Sequence, residues 1–262
     1  MDIAKQVAKY ESKGFNREQA EVNTLMENAA FIIFREFPDA FLLFGGATLV
    51  LYHESLRHSA DLDLLSRVSA SPTQGEVIAS LERDLAPIAR IMELEDIRFE
   101  TENVGGREGR ILVTTATNQR LFSIDLTRSG SAIASEIETH EVEGDEGFST
   151  AVKSATKELL LLQKAESFLL RRNVKARDAF DIHYLGQIDA TLNANLKAHL
   201  QDGLMGNEID GAAISDRIKR VTPKLCKLEL ENYLPADVYS RLEEVEFAPL
   251  RDALKDLYKE WL

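Results

Sequence analysis

Apolar residues recur every three or four positions between residues 17 and 36, which is the period of an amphipathic helix. The apolar positions are Val22, Leu25, Met26, Ala29, Ala30, Ile33 and Phe34. Pro38 cannot continue a helix, so the helix is expected to end before it. A short apolar run at residues 41–44 then leads to Gly45-Gly46, and residues 47–52 predict a second, short helix.

Alternating and bounded apolar runs predict strands further along the chain. Residues 61–65 read Asp-Leu-Asp-Leu-Leu and predict the first central strand. Ser71-Pro72-Thr73 then opens a predicted helix with Pro72 in its first turn. Its apolar face carries Val77, Ile78, Leu81 and Leu85. Three further strands are predicted at residues 97–102, 110–115 and 121–126, and Gly105-Gly106 between the first two favours an antiparallel meander.

The pattern changes at residues 144–149, which are acidic and contain glycine. From about Thr150 the apolar spacing predicts helices throughout, with turns near Gly206-Asn207 and Pro235. The sequence therefore predicts an α+β domain at residues 1–145, with a mixed sheet and flanking helices, and a helical domain at residues 146–262. No chemistry is assigned to residues 192–262.

Asp61 and Asp63 lie two residues apart in the first predicted strand, so both project to one face while Leu62 faces the core. Carboxylates placed in this way can hold hard divalent cations, as a two-metal phosphoryl-transfer site requires. Taken alone, Asp-x-Asp is also typical of a solvated acidic pair. The flanking leucines favour a functional site, because two carboxylates on a buried strand are unfavourable unless cations or hydrogen-bond donors compensate them.

Gly45 and Gly46 precede a predicted helix, whose first N–H groups and positive dipole end can bind a triphosphate. Glycine lacks a Cβ, so the backbone there can approach a ligand closely. The alternative is that the pair only forms a tight turn. Asp125 shares one face of the last predicted strand with Ser123. From the residues alone, Asp125 at the end of this strand is typical of an aspartate that caps a turn before residues 127–130.

These motifs together resemble those of a known family. The run Gly45-Gly46-Ala47-Thr48-Leu49, followed by Arg57-x-Ser59-x-Asp61-Leu62-Asp63-Leu64, resembles the first motif of the AbiEii/AbiGii toxin family. That family is a branch of the polymerase β-like nucleotidyltransferase superfamily. Lys164 and Arg177-Asp178-x-x-Asp181 are similar to its downstream motif, and the resemblance covers roughly residues 44–185.

The resemblance implies a polymerase β-like nucleotidyltransferase core that transfers a nucleotide from a nucleoside triphosphate (NTP) to a hydroxyl group. It implies two Mg²⁺ ions held by Asp61, Asp63 and Asp125, with Asp125 also accepting the proton of the attacking hydroxyl. The nucleotide-binding residues that it implies are Gly45, Gly46, Arg57, Ser59 and Lys164.

Lys164 would also be catalytic, by opposing the charge that develops on the phosphates. The family pattern further implies Asp178 as a catalytic residue ahead of Asp181. The alternatives for these positions are a solvated lysine and aspartates that cap the start of a helix.

The resemblance implies RNA, such as the 3′ end of tRNA, as the acceptor. It further implies the toxin of a toxin–antitoxin or phage-defence system, with a cognate antitoxin protein as partner. Two other functions stay open. One is nucleotidyl transfer to a protein or a small molecule, and the other is an inactive relative that binds a nucleotide or a partner.

Composition narrows the choice of partners. The net charge of −13 argues against a broad electropositive face for nucleic acid, although residues 171–177 and 217–227 contain basic clusters. Cys226 is the single cysteine, which excludes an internal disulfide and a Cys-based zinc site, and the histidines lack metal-ligand spacing. The sequence contains no apolar signal region and no segment of membrane-spanning length, so we expect a cytoplasmic protein without a membrane partner.

Overall fold

A computed structural model describes residues 2–66, 72–94, 96–102, 109–128, 136–143 and 149–262. The chain divides into two compact units, Met1–Ala155 and Thr156–Leu262. Several predicted features lie outside the described residues. They are the turn at Gly105-Gly106, Ser71 before the predicted helix, residues 129–130 and most of the predicted domain boundary, residues 144–148.

The first unit combines helices with one mixed sheet. Its described helices are α1 (Ile3–Ser12), α2 (Arg17–Glu36), α3 (Gly45–Tyr52) and α4 (Gln74–Ile91). Its described strands are β1 (Phe41–Phe44), β2 (Asp61–Ser66), β3 (Arg98–Glu102), β4 (Gly109–Thr114), β5 (Arg120–Arg128), β6 (Ile137–Glu143) and β7 (Ser149–Ala155). The sheet order is β3-β4-β5-β2-β1-β7-β6. The pairs β2–β5 and β1–β7 are parallel, and the other neighbouring pairs are antiparallel.

Most of the predicted elements of this unit are confirmed. The helix at residues 17–36 is α2, and the predicted meander is β3-β4-β5. The short helix begins at Gly45 rather than at residue 47. Thr73 caps α4 in a capping box with Glu76, so Pro72 precedes the helix instead of lying in its first turn.

The expectation of helices from Thr150 onward is wrong at its start. Residues Ser149–Ala155 form β7, which pairs in parallel with β1 and antiparallel with β6. Val152 and Ala155 of this strand are fully buried. The partner β1 is distant in sequence, so the local pattern does not reveal the pairing. Consequently the first compact unit extends to Ala155.

The apolar face of α2 packs into the core of the first unit. Leu25, Met26 and Phe34 on this helix are fully buried. Leu62 and Leu64 of β2 belong to the same core, at 0% and 1% exposure. Since side chains alternate along a strand, Asp61 and Asp63 project from the opposite face of β2.

The second unit is helical in all the elements that the structure describes. Its helices are α5 (Lys157–Leu170), α6 (Ala176–Gln187), α7 (Ala194–Gly206), α8 (Gly211–Lys219), α9 (Pro223–Leu230), α10 (Ala236–Glu244) and α11 (Ala248–Tyr258). The buried Tyr258 hydroxyl of α11 donates a hydrogen bond to the Ala165 carbonyl of α5, at 2.8 Å. Among the described helices of the chain, none combines the length and the apolar composition needed to cross a bilayer.

Candidate active site

The start of α3 is the structural centre of the candidate site. Strand β1 runs directly into this helix at Gly45, whose φ of +77° is in the left-handed region that favours glycine. The preceding residue, Phe44, has an apolar side chain that cannot accept a hydrogen bond from the first turn. The N–H groups of that turn therefore remain suited to an anionic ligand.

Three predicted side chains lie against the two glycines. A Cβ atom at Gly45 would be 1.9 Å from Oδ2 of Asp63. A Cβ atom at Gly46 would be 2.8 Å from Oγ of Ser59 and 2.9 Å from a guanidinium nitrogen of Arg57. The structure thus brings a carboxylate, a hydroxyl and a guanidinium group to one helix start, where the glycines leave room for them.

Arg57 is held in place within the buried part of this site. Its side chain is 4% exposed, and Nη1 donates a hydrogen bond to the carbonyl of His58 at 3.0 Å. Nδ1 of His58 is 3.1 Å from Oδ1 of Asn23. Burial, and then the charge of Arg57, lower the pKa of His58 to about 4, while Asp61 opposes the shift. The imidazole is therefore neutral near pH 7, and Arg57 provides the positive charge.

The parallel pairing of β2 with β5 aligns the acidic residues. Asp61 is opposite Ser123, and Asp63 is opposite Asp125. Residues opposite each other in a sheet project to the same face, so these side chains share the face that Leu62 avoids. The sheet therefore places Asp125 directly beside Asp63.

Asp61 is fixed by two donors on one of its oxygens. Oγ of Ser123 donates to Oδ1 of Asp61 at 2.7 Å, and Nη2 of Arg120 donates to the same oxygen at 2.6 Å. Arg120 also donates to Oγ of Ser123 at 2.9 Å. The Asp61 and Arg120 side chains are 36% and 47% exposed. Asp61 is therefore oriented by its neighbours and remains open to solvent.

Asp125 is engaged through both oxygens by an arginine on the neighbouring strand. Nε of Arg110 donates to Oδ1 at 2.5 Å, and Nη2 donates to Oδ2 at 2.9 Å. These hydrogen bonds raise the pKa of Arg110, so its guanidinium stays charged. The sequence reasoning missed Arg110 and Arg120. Arg110 is opposite Asp125 in the β4–β5 register, a relationship that only the correct strand pairing reveals.

Asp61 and Asp63 suit a hard divalent cation through the chemistry of their donors, which are carboxylate oxygens on one strand face. Asp125 projects to the same face, and Arg110 donates one hydrogen bond to each of its two oxygens. In the part of the chain that the structure describes, no three or more His, Cys, Asp or Glu side chains are grouped so that they could hold a metal ion.

The remaining predicted residues belong to the second unit. Nζ of Lys164 is 2.9 Å from Oδ2 of Asp181, and the two side chains are only 8% and 1% exposed. Asp178 is equally buried, and its Oδ2 is 3.4 Å from Nη1 of Arg171. The direct partner of Lys164 is thus Asp181, although the sequence reasoning ranked Asp178 above it.

Comparison with known proteins identifies the family of the chain. The family model for the nucleotidyl transferase AbiEii toxin of type IV toxin–antitoxin systems matches residues 29–259. The chain has no match among curated proteins.

Two solved structures share the fold. JHP933 from Helicobacter pylori is 18% identical, with a TM-score of 0.56 and coverage of 94% of both chains. A second H. pylori structure, described as that of a candidate nucleotidyltransferase, is 18% identical with a TM-score of 0.53, and the match covers 94% of this chain and 97% of that chain. The matched family model spans both compact units, and the predicted family is confirmed: the chain belongs to the AbiEii family of nucleotidyltransferase toxins.

Proposed function

We propose that this nucleotidyltransferase depends on a divalent metal, taken to be Mg²⁺, which Asp61 and Asp63 hold while the start of α3 binds the phosphates of an NTP. The observation that carries the proposal is the convergence of Arg57, Ser59 and Asp63 on the two glycines. A helix start with an arginine and a hydroxyl is a favourable environment for a phosphate group. A carboxylate beside it is favourable only when a cation lies between the two anions.

Each protein group has a specific task in this mechanism. The α3 N–H groups and the Ser59 hydroxyl donate hydrogen bonds to the triphosphate oxygens. Arg57 opposes the negative charge that develops as the bond to the leaving pyrophosphate breaks. Ser123 orients Asp61 by donating a hydrogen bond to its Oδ1. When bound, the metal would polarise the phosphate and the acceptor hydroxyl. Positioning and electrostatics therefore supply most of the rate.

We further propose RNA as the acceptor, the 3′ end of tRNA being the form that the family resemblance implies, and the toxin of a toxin–antitoxin pair as the role. The family assignment supports the toxin role. A basic cluster at residues 171–177 gives local support for RNA in a chain of net charge −13, and Arg171 and Arg172 there are exposed. The antitoxin would be a separate protein.

The direct test offers labelled NTPs to the purified protein with Mg²⁺ and one of three acceptors: total tRNA, lysate protein or buffer alone. We expect label in the tRNA, and we expect chelation of the metal to abolish it. Label in protein or in a small molecule would contradict the RNA acceptor. Nucleotide binding without transfer to any pool would contradict the enzymatic function.

A further inference from the structure

Asp125 and Asp61 of the candidate site differ in how they are paired with arginine. Asp125 makes a two-point pair with Arg110, in which each oxygen accepts one hydrogen bond. Asp61 accepts from Arg120 and Ser123 at Oδ1 alone. A two-point arginine–carboxylate pair is stronger and more directional than a single contact. Asp125 is therefore bound more firmly to its arginine than Asp61 is.

Exposure reinforces this difference. The Asp125 and Arg110 side chains are 12% and 26% exposed, whereas those of Asp61 and Arg120 are 36% and 47% exposed. An exposed pair can exchange its partner for a metal at little cost, because water solvates the released guanidinium. Separating a largely buried pair leaves a charge that is poorly solvated. A cation entering the site should therefore displace Arg120 from Asp61 before it displaces Arg110 from Asp125.

The charge balance of the site also favours the retention of the Asp125–Arg110 pair when a cation binds. Asp61, Asp63 and Asp125 share the site with three guanidinium groups, those of Arg57, Arg110 and Arg120. Arg110 is also 3.8 Å from the carboxylate of Glu102, but that side chain is 51% exposed and is solvated by water. The Asp125 carboxylate is thus already neutralised by a fixed cation. Arg110 is directly opposite Asp125 in the β4–β5 register, so the sheet itself maintains the pair.

We propose that Asp125 is a positioning residue bound to Arg110, and that it neither holds the metal nor accepts the proton of the attacking hydroxyl. Arg110 is then a fixed positive charge at the edge of the site, and the metal is held by Asp61 and Asp63. This assignment rests on the proposed metal dependence. It replaces the role that the family resemblance implied for Asp125.

Metal binding can be measured without any reaction, by titrating the protein with Mn²⁺ and following the free ion by electron paramagnetic resonance. We expect Asp63→Asn to weaken Mn²⁺ binding about tenfold or more, since it removes a ligand. Asp125→Asn should weaken Mn²⁺ binding less than Asp63→Asn does, since it removes a neighbouring negative charge but no ligand. Asp96→Asn is the matched control, because it also removes a carboxylate from an arginine pair of the first unit, 3.0 Å from Arg90.

A second variant keeps the test decisive if Asp125→Asn fails to fold. Arg110→Lys retains the positive charge but replaces the fork with a point charge. Under the proposal, Mn²⁺ affinity stays near the parental value. If Arg110 instead competes with the metal for Asp125, the weaker pairing in Arg110→Lys will tighten Mn²⁺ binding and overturn the assignment.

The pH dependence of kcat tests the proton-transfer role separately. Asp125→Asn should retain the acid limb of the profile, whereas a lost limb would identify Asp125 as the base. Loss of Mn²⁺ binding in Asp125→Asn alone would overturn this inference and leave the metal dependence standing. Failure of the unaltered protein to bind Mn²⁺ would overturn the metal dependence and this inference with it.

Discussion

The carboxylate of Asp63 occupies the space in which a side chain at Gly45 would begin. A Cβ atom there would be 1.9 Å from Oδ2, far inside van der Waals contact. Gly45 also has a φ of +77°, which an L-residue with a side chain adopts only with strain. The glycine is therefore required both by the backbone and by the acid that packs against it.

Gly45→Ala should impair both stability and transfer. The left-handed backbone alone should lower the free energy of unfolding by about 1–2 kcal/mol. Because Asp63 must move away from the helix start, we expect nucleotide transfer to fall by about two powers of ten. The measurements are urea unfolding and initial rates of label transfer.

Gly75→Ala is the matched control, since its Cβ would meet only Oγ1 of Thr73 at an ordinary 3.9 Å. This glycine lies in α4, where alanine is the better helix former, so stability should hold or rise. Parental transfer by Gly45→Ala would refute the packing argument.

Removal of the acidic groups should separate activity from stability. Asp61→Asn and Asp63→Asn should each lower transfer by about three powers of ten, because each removes a proposed metal ligand. The simple expectation from sequence is that loss of a carboxylate from a crowded acidic site preserves or raises stability. Arg120 changes this expectation for Asp61, since the carboxylate already has a counter-ion.

The pair of Asp61 with Arg120 is exposed, so its loss should change the free energy of unfolding by less than about 1 kcal/mol. Thermal melts beside transfer assays provide the check. Gross unfolding of either variant would indicate a structural role, and parental transfer rates would show that the metal-site interpretation is wrong.

The buried pair of Lys164 with Asp181 requires a different design. Lys164→Ala should lower transfer by about two to three powers of ten if the ammonium opposes charge on the nucleotide. The same change removes the lysine from a buried ion pair with Asp181, which should destabilise the protein by about 3–5 kcal/mol. The double variant with Asp181→Ala should regain most of the stability without regaining transfer.

Lys164→Arg should restore transfer only in part, because the guanidinium fork needs more space than the ammonium. Lys153→Ala is the control, since Lys153 pairs at 2.5 Å with Asp39, whose side chain is 79% exposed. Lys157 is less suitable, because its Nζ donates to the Ile188 carbonyl at 2.7 Å. If the double variant transferred label at the parental rate, Lys164 would have a structural role only.

Much of the first unit can be predicted from local patterns. Helix α2 follows from its apolar period, and the meander β3-β4-β5 follows from alternation and nearby turns. Strand β7 could not be found in this way, because its parallel partner β1 precedes it by about a hundred residues. Local sequence indicates that a strand is favourable, and distant pairing decides where it lies.

The candidate site shows the same limit. The spacing of Asp61 and Asp63 predicts the shared face of their side chains, and Gly45-Gly46 marks the start of a helix to within two residues. The partners of the acids were not predictable, because Arg110 and Arg120 meet them only through the register of neighbouring strands. For that reason the sequence suggests an uncompensated acidic cluster, whereas the structure contains arginine–carboxylate pairs.

His58 should make the folded state sensitive to mild acid. Burial and the adjacent Arg57 lower the pKa of His58 to about 4, against about 6.5 in an unfolded chain. As the pH falls from about 6.5 to about 4, the unfolded chain gains a proton that the folded protein excludes, so stability decreases. Above about pH 6.5 the imidazole is neutral in both states and contributes no pH dependence. Protonation of His58 in the unfolded chain should lower the free energy of unfolding by about 3 kcal/mol between pH 6.5 and pH 4.

The change His58→Gln removes the titrating group, so the free energy of unfolding should fall by about 3 kcal/mol less between pH 6.5 and pH 4 than it does in the parent. The variant should be less stable than the parent at pH 7, because packing around the buried ring and the contact with Asn23 are lost. Urea unfolding at several pH values measures both effects. His199→Gln is the control, because the His199 side chain is 52% exposed. Its free energy of unfolding should fall between pH 6.5 and pH 4 by as much as that of the parent. If the free energy of unfolding fell equally with pH in His58→Gln and in the parent, the loss of stability in acid would arise from another group.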